Sequence, residues 1–169
     1  RLANSMTLGS IGRYDRVIVM SRRMKSEVAN YVDDCRVEVI PDGVDMQQFR
    51  PMPRDQARAM LGSPEDHRPW ILLPMLYAGN PIKRPELASE AVRHLKQMVP
   101  DVEFKLVSGV SHAQMPLLVN ASSAVLLTST HEGWPNVIKE SLSCNVPFVS
   151  TDVSDLREIA AEEESCRVV

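Results

Sequence analysis

Short apolar runs alternate with amphipathic stretches along the whole chain, and their order predicts the elements. The run "DRVIVM" (15–20) suits a buried strand. Ser21 follows in a capping position, and Met24, Val28 and Tyr31 at helical spacing predict a helix through Val32. "RVEVI" (36–40) alternates as a strand does and ends in the turn formers Pro41, Asp42 and Gly43. "FRPMPRD" (49–55) holds two prolines and reads as a linker into a helix stopped by Gly62. From Pro69 the rhythm is regular. Strands are expected at 70–78, 102–108, 124–130 and 146–151, and helices at 85–99, about 112–121, 135–143 and 154–163. Pro85 suits a first helical turn, whereas Pro74 inside the first of these strands argues for a bulge or a sheet edge. The closing "SCRVV" reads as the start of another strand.

Strands alternating with helices through short connections predict an α/β fold, a Rossmann-like parallel sheet flanked by helices on both faces. The 169 residues suffice for one domain with a real core. Ligands in such sheets bind beyond the carboxyl ends of the strands. The loops 79–84, 109–112, 129–134 and 151–155 are therefore the places to look for chemistry.

In the first of these loops Lys83 and Arg84 precede the helix that starts near Pro85. Two cations beside a helix N-terminus make an anion site, because free amides and the positive dipole end act together. A solvated Lys-Arg pair is an equal alternative. The third loop opens the stretch "HEGWPNVIKESLS" (131–143), with Glu132 and Glu140 on either side of Gly133, Trp134, Pro135 and Asn136. Pro135 suits the first helical position, and the amides after it face outward. Gly133 permits close approach of a ligand to the backbone. Glu140 lies roughly 7 Å further along the helix axis, the separation between a phosphate at the helix start and a ribose. Val137, Ile138 and Leu142 cover the core face, while Asn136 and Glu140 share another. Alone, Glu132 reads as a complement to the helix dipole and Glu140 as an ordinary surface glutamate. The tryptophan on a polar loop tip weighs towards a site. Gly109 follows a strand and has room for a planar base, although a plain turn glycine explains it as well. In 150–155, capping by Ser154 or Asp155 accounts for most of the hydroxyls and carboxylates.

Net charge is −3 with 24% charged residues, which argues against a nucleic-acid groove or a polybasic anchor. Cys35, Cys144 and Cys166 are widely spaced and odd in number, so reduced, cytosolic thiols are expected rather than disulfides or zinc. No apolar run has the length of a membrane span. The sequence has no G-x-G-x-x-G, no P-loop and no Asp-x-Asp pair, and His67, His94, His112 and His131 lack ligand spacing. No metal site is expected, nor a nucleophile with its base. The chain starts at Arg1 and stops inside an apparent strand, the pattern of a longer protein cut at both ends.

Three blocks, "VIPDGVDMQQF", "GNPIKRPELA" and "STHEGWPNVIKESLSCNVPFVSTDVSDLREI", together resemble the retaining glycosyltransferases of family 4, the glycosyl transferase group 1 proteins. The resemblance runs from about Tyr14 to Glu158. Glu132 and Glu140, seven residues between them, match the family's paired glutamates, and Gly133, Pro135 and Asn136 match the turn beside the first. The resemblance implies a GT-B architecture of two Rossmann-like domains. Residues 1–48 would end the acceptor-side domain and cross over, 49–68 would be linker and helix, and 69–169 an incomplete nucleotide-sugar domain. Lys83 would bind the donor diphosphate with Arg84 nearby; many members carry an arginine near Asn80, and whether Arg84 replaces it stays open. Glu140 would hold the ribose and Glu132 the transferred sugar. The backbone of Gly133, Trp134, Pro135, Asn136 and Val137 would hold sugar and distal phosphate, and Gly109 would border the nucleotide. The implied activity is metal-independent, retaining transfer from a UDP- or GDP-sugar to a carbohydrate or lipid-linked acceptor, with no cofactor. The implied place is the cytoplasm, including the membrane periphery, and this piece alone is expected to be inactive. Other GT-B enzymes, a phosphorylase or a nucleotide-sugar epimerase, and a non-catalytic nucleotide-binding module are the alternatives. Asn145 and Ser154 depart from the family by standing where glycines are usual.

Overall fold

The computed structural model describes residues 8–75, 77 and 79–169. A small first lobe pairs β1 (Val17–Val19) with β2 (Val37–Val39) in parallel, Val17 opposite Val37 and Val19 opposite Val39. The crossover helix α1 (Arg22–Val28) is capped by Ser21, whose hydroxyl accepts the Met24 amide at 3.2 Å. Val19, Val28, Val32 and Val37 form the core of this lobe. The α1 helix ends four residues before the expected Val32, which is nevertheless buried.

The chain then turns at Asp45, whose carboxylate accepts the amides of Gln47 and Gln48 at 2.9 and 3.2 Å. That Asx turn delivers Phe49, 1% exposed, into the core of the second lobe. A short helix α2 (Arg54–Met60) follows.

The second lobe is a five-stranded parallel sheet of β3 (Trp70–Met75), β4 (Glu103–Ser108), β5 (Ala124–Leu127), β6 (Phe148–Ser150) and β7 (Arg167–Val168). Their spatial order is β4-β3-β5-β6-β7. Four helices connect them: α3 (Pro85–Leu95), α4 (Met115–Ala121), α5 (Asn136–Ser143) and α6 (Leu156–Glu162). Strand alternation splits the core in two. Leu72, Val125, Leu127 and Phe148 meet Val119, Ile138 and Leu156 on one face. Leu73, Met75 and Leu126 meet Ala88 and Val92 of α3 on the other. The expected parallel sheet with helices on both faces is thus present.

The order of strands reverses between β3 and β5, which makes the crevice above their carboxyl ends the switch point where such sheets bind ligands. Pro74 lies in that central β3 strand, paired in register with Val107, neither at an edge nor in a bulge. Its effect is confined to one side of the strand. The Trp70 carbonyl accepts Ser123 N–H beside β5, whereas the Pro69 carbonyl accepts Glu103 N–H beside β4. Even-numbered residues of β3 therefore face β5, and among the described residues pairing with β5 extends to Leu72. Pro74 thus turns its missing N–H towards β5, and the β3–β5 pairing among these residues stops short of it while β4 stays paired on the other side. Elements are mostly shorter than their apolar runs, and the expected strand positions Leu76 and Ala78 lie outside the described residues. The helix expected from 112 divides into a single 3-10 turn, His112–Gln114, and α4.

Candidate active site

A cavity of about 550 Å³ opens at the switch point and brings together Lys83, Glu132, Trp134, Pro135, Asn136, Val137 and Glu140. These come from the loops after β3 and β5 and from α5. Pro74, Val110 and Met115 supply an apolar wall.

Lys83 ends a 3-10 turn, Pro81–Lys83, that Asn80 starts by accepting the Ile82 amide on its side-chain oxygen at 3.1 Å. The turn aims the Lys83 ammonium at Glu132, Nζ to Oε1 2.7 Å, and Ser129 Oγ donates to the same oxygen at 2.6 Å. Both ion-pair partners are less than one-fifth exposed. Arg84 goes elsewhere. It sits in the left-handed region, φ 44°, and its guanidinium donates to the Thr128 and Ser129 carbonyls at 2.7 and 3.3 Å. Of the two adjacent cations, Lys83 faces the cavity and Arg84 ties the loop to the end of β5.

Pro135 is buried and occupies the N-cap of α5, so the helix begins at Asn136. No side chain caps this end, and the first amides of α5 are left for a cavity ligand. Trp134 is not the exposed loop tip that its polar neighbours suggest. It is partly buried against the main core, with Lys139 Nζ 5.4 Å from its ring centroid. Lys139 in turn donates to the Asp42 carbonyl at 2.6 Å, and burial lowers its pKa from the usual lysine value.

At Gly133 the absent side chain admits a protein group. A Cβ there would lie 2.6 Å from Met20 Cε and 3.5 Å from Met24 Sδ, so the first lobe packs directly on the turn. The Gly133 carbonyl accepts Ser154 Oγ at 2.7 Å. Gly109 has φ 66° and open space around it, the geometry of a turn glycine, while its neighbour Val110 lines the cavity.

Glu140 is a residue only 9% exposed, and its Oε1 lies 3.3 Å from His112 Nε2. Gln48 Nε2 lies 3.3 Å from His112 Nδ1 and donates to the His112 carbonyl at 3.1 Å. Sequence reasoning passed over His112 because its partners lie 64 and 28 residues away. Its only local signal is its place just after β4. Among the described residues, no donor reaches Oε2 of Glu132 or of Glu140. Each carboxylate is anchored through one oxygen and offers the other.

The loop 151–155 behaves differently from a simple helix cap. The Asp155 carboxylate accepts the amides of Arg22 and Arg23 at 2.7 and 3.0 Å, so it caps α1 of the first lobe, and α6 has no side-chain cap. Arg22 also pairs with Glu158 at 2.9 Å. Chemically, the cavity offers one cation, open helix amides, two half-engaged carboxylates and an apolar wall. Those groups suit a phosphate, hydroxyl pairs and a flat apolar group respectively.

The family model described as "Glycosyl transferases group 1" matches residues 72–169. A D-inositol 3-phosphate glycosyltransferase from a Nocardioides species is 42% identical over 77 residues, covering 44% of this chain and 16% of that protein. One of the same description from Mycobacterium bovis is 26% identical over 170 positions, covering 84% of this chain and 35% of the relative. The chain therefore spans about a third or less of the curated relatives it matches. Sucrose-phosphate synthase from Thermosynechococcus elongatus superposes with a TM-score of 0.71 at 20% identity, over 100% of this chain and 49% of that one. Anabaena HepE in complex with UDP and glucose gives a TM-score of 0.66 at 19% identity, over 98% and 52%. These solved structures share the fold, that of GT-B glycosyltransferases.

Proposed function

The chain belongs to the glycosyl transferases of group 1, and from that premise we propose that its cavity holds a nucleoside-diphosphate sugar for transfer of the sugar to an acceptor. The observation that carries this is the convergence of Lys83, Glu132, Glu140 and the uncapped start of α5 on one cavity at the sheet switch point.

In this assignment the Lys83 ammonium and the first amides of α5 meet the diphosphate. The charge that develops on the leaving nucleoside diphosphate is stabilised by groups already in place. Glu140 accepts the ribose hydroxyls, Glu132 accepts hydroxyls of the transferred sugar, and Val110, Met115 and Pro74 flank the base. Gly109 borders this wall as a turn. Arg84 and Asn80 hold the Lys83 loop in shape rather than touching the ligand. The family resemblance further supports retention of configuration, with the acceptor attacking from the face on which the diphosphate departs, and no metal ion. UDP is supported as the nucleotide by the complex of HepE with UDP and glucose. A polyol or carbohydrate acceptor, reached from the first-lobe side, is supported by the relatives that glycosylate an inositol phosphate. We place residues 1–48 in the acceptor-side domain and 69–169 in the donor domain. No helix among the described residues is long and apolar enough to cross a membrane, and a cytoplasmic or peripheral location is part of the proposal.

Titrating the protein with UDP, GDP and the corresponding nucleosides tests it. One diphosphate should bind with exothermic, saturable heat and its nucleoside much more weakly. Failure of both diphosphates to bind, or binding indifferent to the phosphates, removes the donor site.

A further inference from the structure

We infer that His112, steered by Gln48, positions Glu140 for the two hydroxyls of a ribose, so that the segment joining the lobes sets the preference for ribonucleotides. This rests on the reading of Glu140 as the ribose contact. Glutamine Nε2 can only donate. Its approach to His112 Nδ1 at 3.3 Å therefore makes Nδ1 an acceptor and leaves the ring proton on Nε2, 3.3 Å from Glu140 Oε1. The second Gln48 bond, to the His112 carbonyl at 3.1 Å, fixes the same amide against the same residue. Phe49, next in the chain and buried, meets the imidazole edge-on with centroids 5.2 Å apart. The ring is thus held from two sides by the crossover segment.

The Glu140 side chain is 12% exposed and has this single protein donor among the described residues. A freely rotating glutamate loses rotamer freedom when a ligand fixes it. His112 removes much of that cost before the ligand arrives and directs Oε2 into the cavity. A carboxylate placed to receive two hydroxyls is left under-bonded when one is missing, which discriminates against the ligand lacking it.

The test compares dissociation constants for UDP and 2′-deoxy-UDP, with GDP and 2′-deoxy-GDP in parallel. The unaltered protein should favour the ribonucleotide by about tenfold or more, the worth of one hydrogen bond to a charged acceptor. Glu140→Ala should abolish that ratio. His112→Ala and Gln48→Ala should shrink it while changing affinity for the deoxynucleotide little, and His112→Gln, which keeps an N–H donor, should retain more of it. A full ratio in folded His112→Ala overturns the role of His112 alone. Should that variant fail to fold, a full ratio in Gln48→Ala, a change at a partly exposed residue, overturns the relay equally. No preference in the unaltered protein, or a ratio that survives Glu140→Ala, overturns the ribose assignment itself and the inference with it. Failure of any nucleotide to bind removes both.

Discussion

Lys83 Nζ and Glu132 Oε1, 2.7 Å apart, neutralise each other across the cavity. The cation proposed for the diphosphate and the carboxylate proposed for the sugar therefore hold one another until a donor separates them. The Ser129 hydroxyl, 2.6 Å from the same oxygen, keeps Glu132 in place when the ammonium turns away. Lys83→Ala should weaken nucleoside-diphosphate binding by about 1.5–3 kcal/mol, the range for a hydrogen bond to a charged group. Glu132→Gln should do the opposite to the free nucleotide, leaving affinity equal or higher because Lys83 no longer has a competing partner, while cutting sugar transfer. Calorimetry with the nucleotide alone, set beside turnover of the donor, separates the two. Equal losses of nucleotide affinity in both variants would mean that the pair is structural.

Metal dependence follows from the same geometry. Positive charge at the proposed diphosphate position comes from Lys83 and the amides opening α5, and among the described residues no three His, Cys, Asp or Glu side chains gather to hold an ion. Nucleotide affinity and turnover are expected to survive EDTA. A strict requirement for Mn²⁺ or Mg²⁺, restored on adding the ion, contradicts the assignment.

Ser154 adopts φ 52° and Asn145 φ 58°, left-handed conformations at the two positions where the family resemblance leads one to expect glycine. Asparagine tolerates that region, but serine does so less readily, and Ser154 Oγ offsets the strain with its 2.7 Å bond to the Gly133 carbonyl. Ser154→Gly relieves backbone strain of order 1 kcal/mol and loses a hydrogen bond of similar worth, so the melting temperature should barely move. Ser154→Ala keeps the strain and loses the bond, and should melt lower than either. An alanine variant as stable as the unaltered protein would deny the bond its role, and one as stable as the glycine variant would deny the strain.

Much of this was legible in the sequence because it is local. The alternation of apolar runs gives the parallel sheet, and the loops after β3 and β5 contribute Lys83 and Glu132 to the cavity. Long-range partners were not legible. Asp155, read as a cap for its own helix, caps α1 from 133 residues away, because the first lobe docks on the loop 151–155. Arg84 reads like Lys83 in one dimension, yet its left-handed backbone turns the guanidinium to the end of β5. His112 acquires meaning only through Gln48 and Glu140. Pro74 was misread because the linear pattern does not show a central strand keeping one ladder intact while the other ends before the proline.

Far from the cavity, at the amino ends of the strands, Asp66 accepts Arg68 Nε and Nη2 at 2.9 Å each and Trp70 Nε1 at 3.0 Å. Arg58 and Lys105 lie 4.6 and 4.3 Å from the Trp70 ring centroid. The hydrogen bonds from Arg68 foremost, with the Trp70 indole adding to them, hold the Asp66 carboxyl well below the usual carboxylate range. The folded protein therefore binds this proton less readily than the unfolded chain. Stability from the group is complete above the unfolded pKa of about 4 and drains away as pH falls below it, towards the lower folded value. Asp66→Asn should lower the melting temperature at neutral pH. The gap to the unaltered protein should be constant from pH 7 to about 5 and narrow steadily below about 4, where the native carboxylate too loses its advantage. Thermal melts followed by circular dichroism across that range measure it. A gap of the same size at pH 7 and at the acid limit of folding would show that the substitution acts through packing and not through the charge on Asp66.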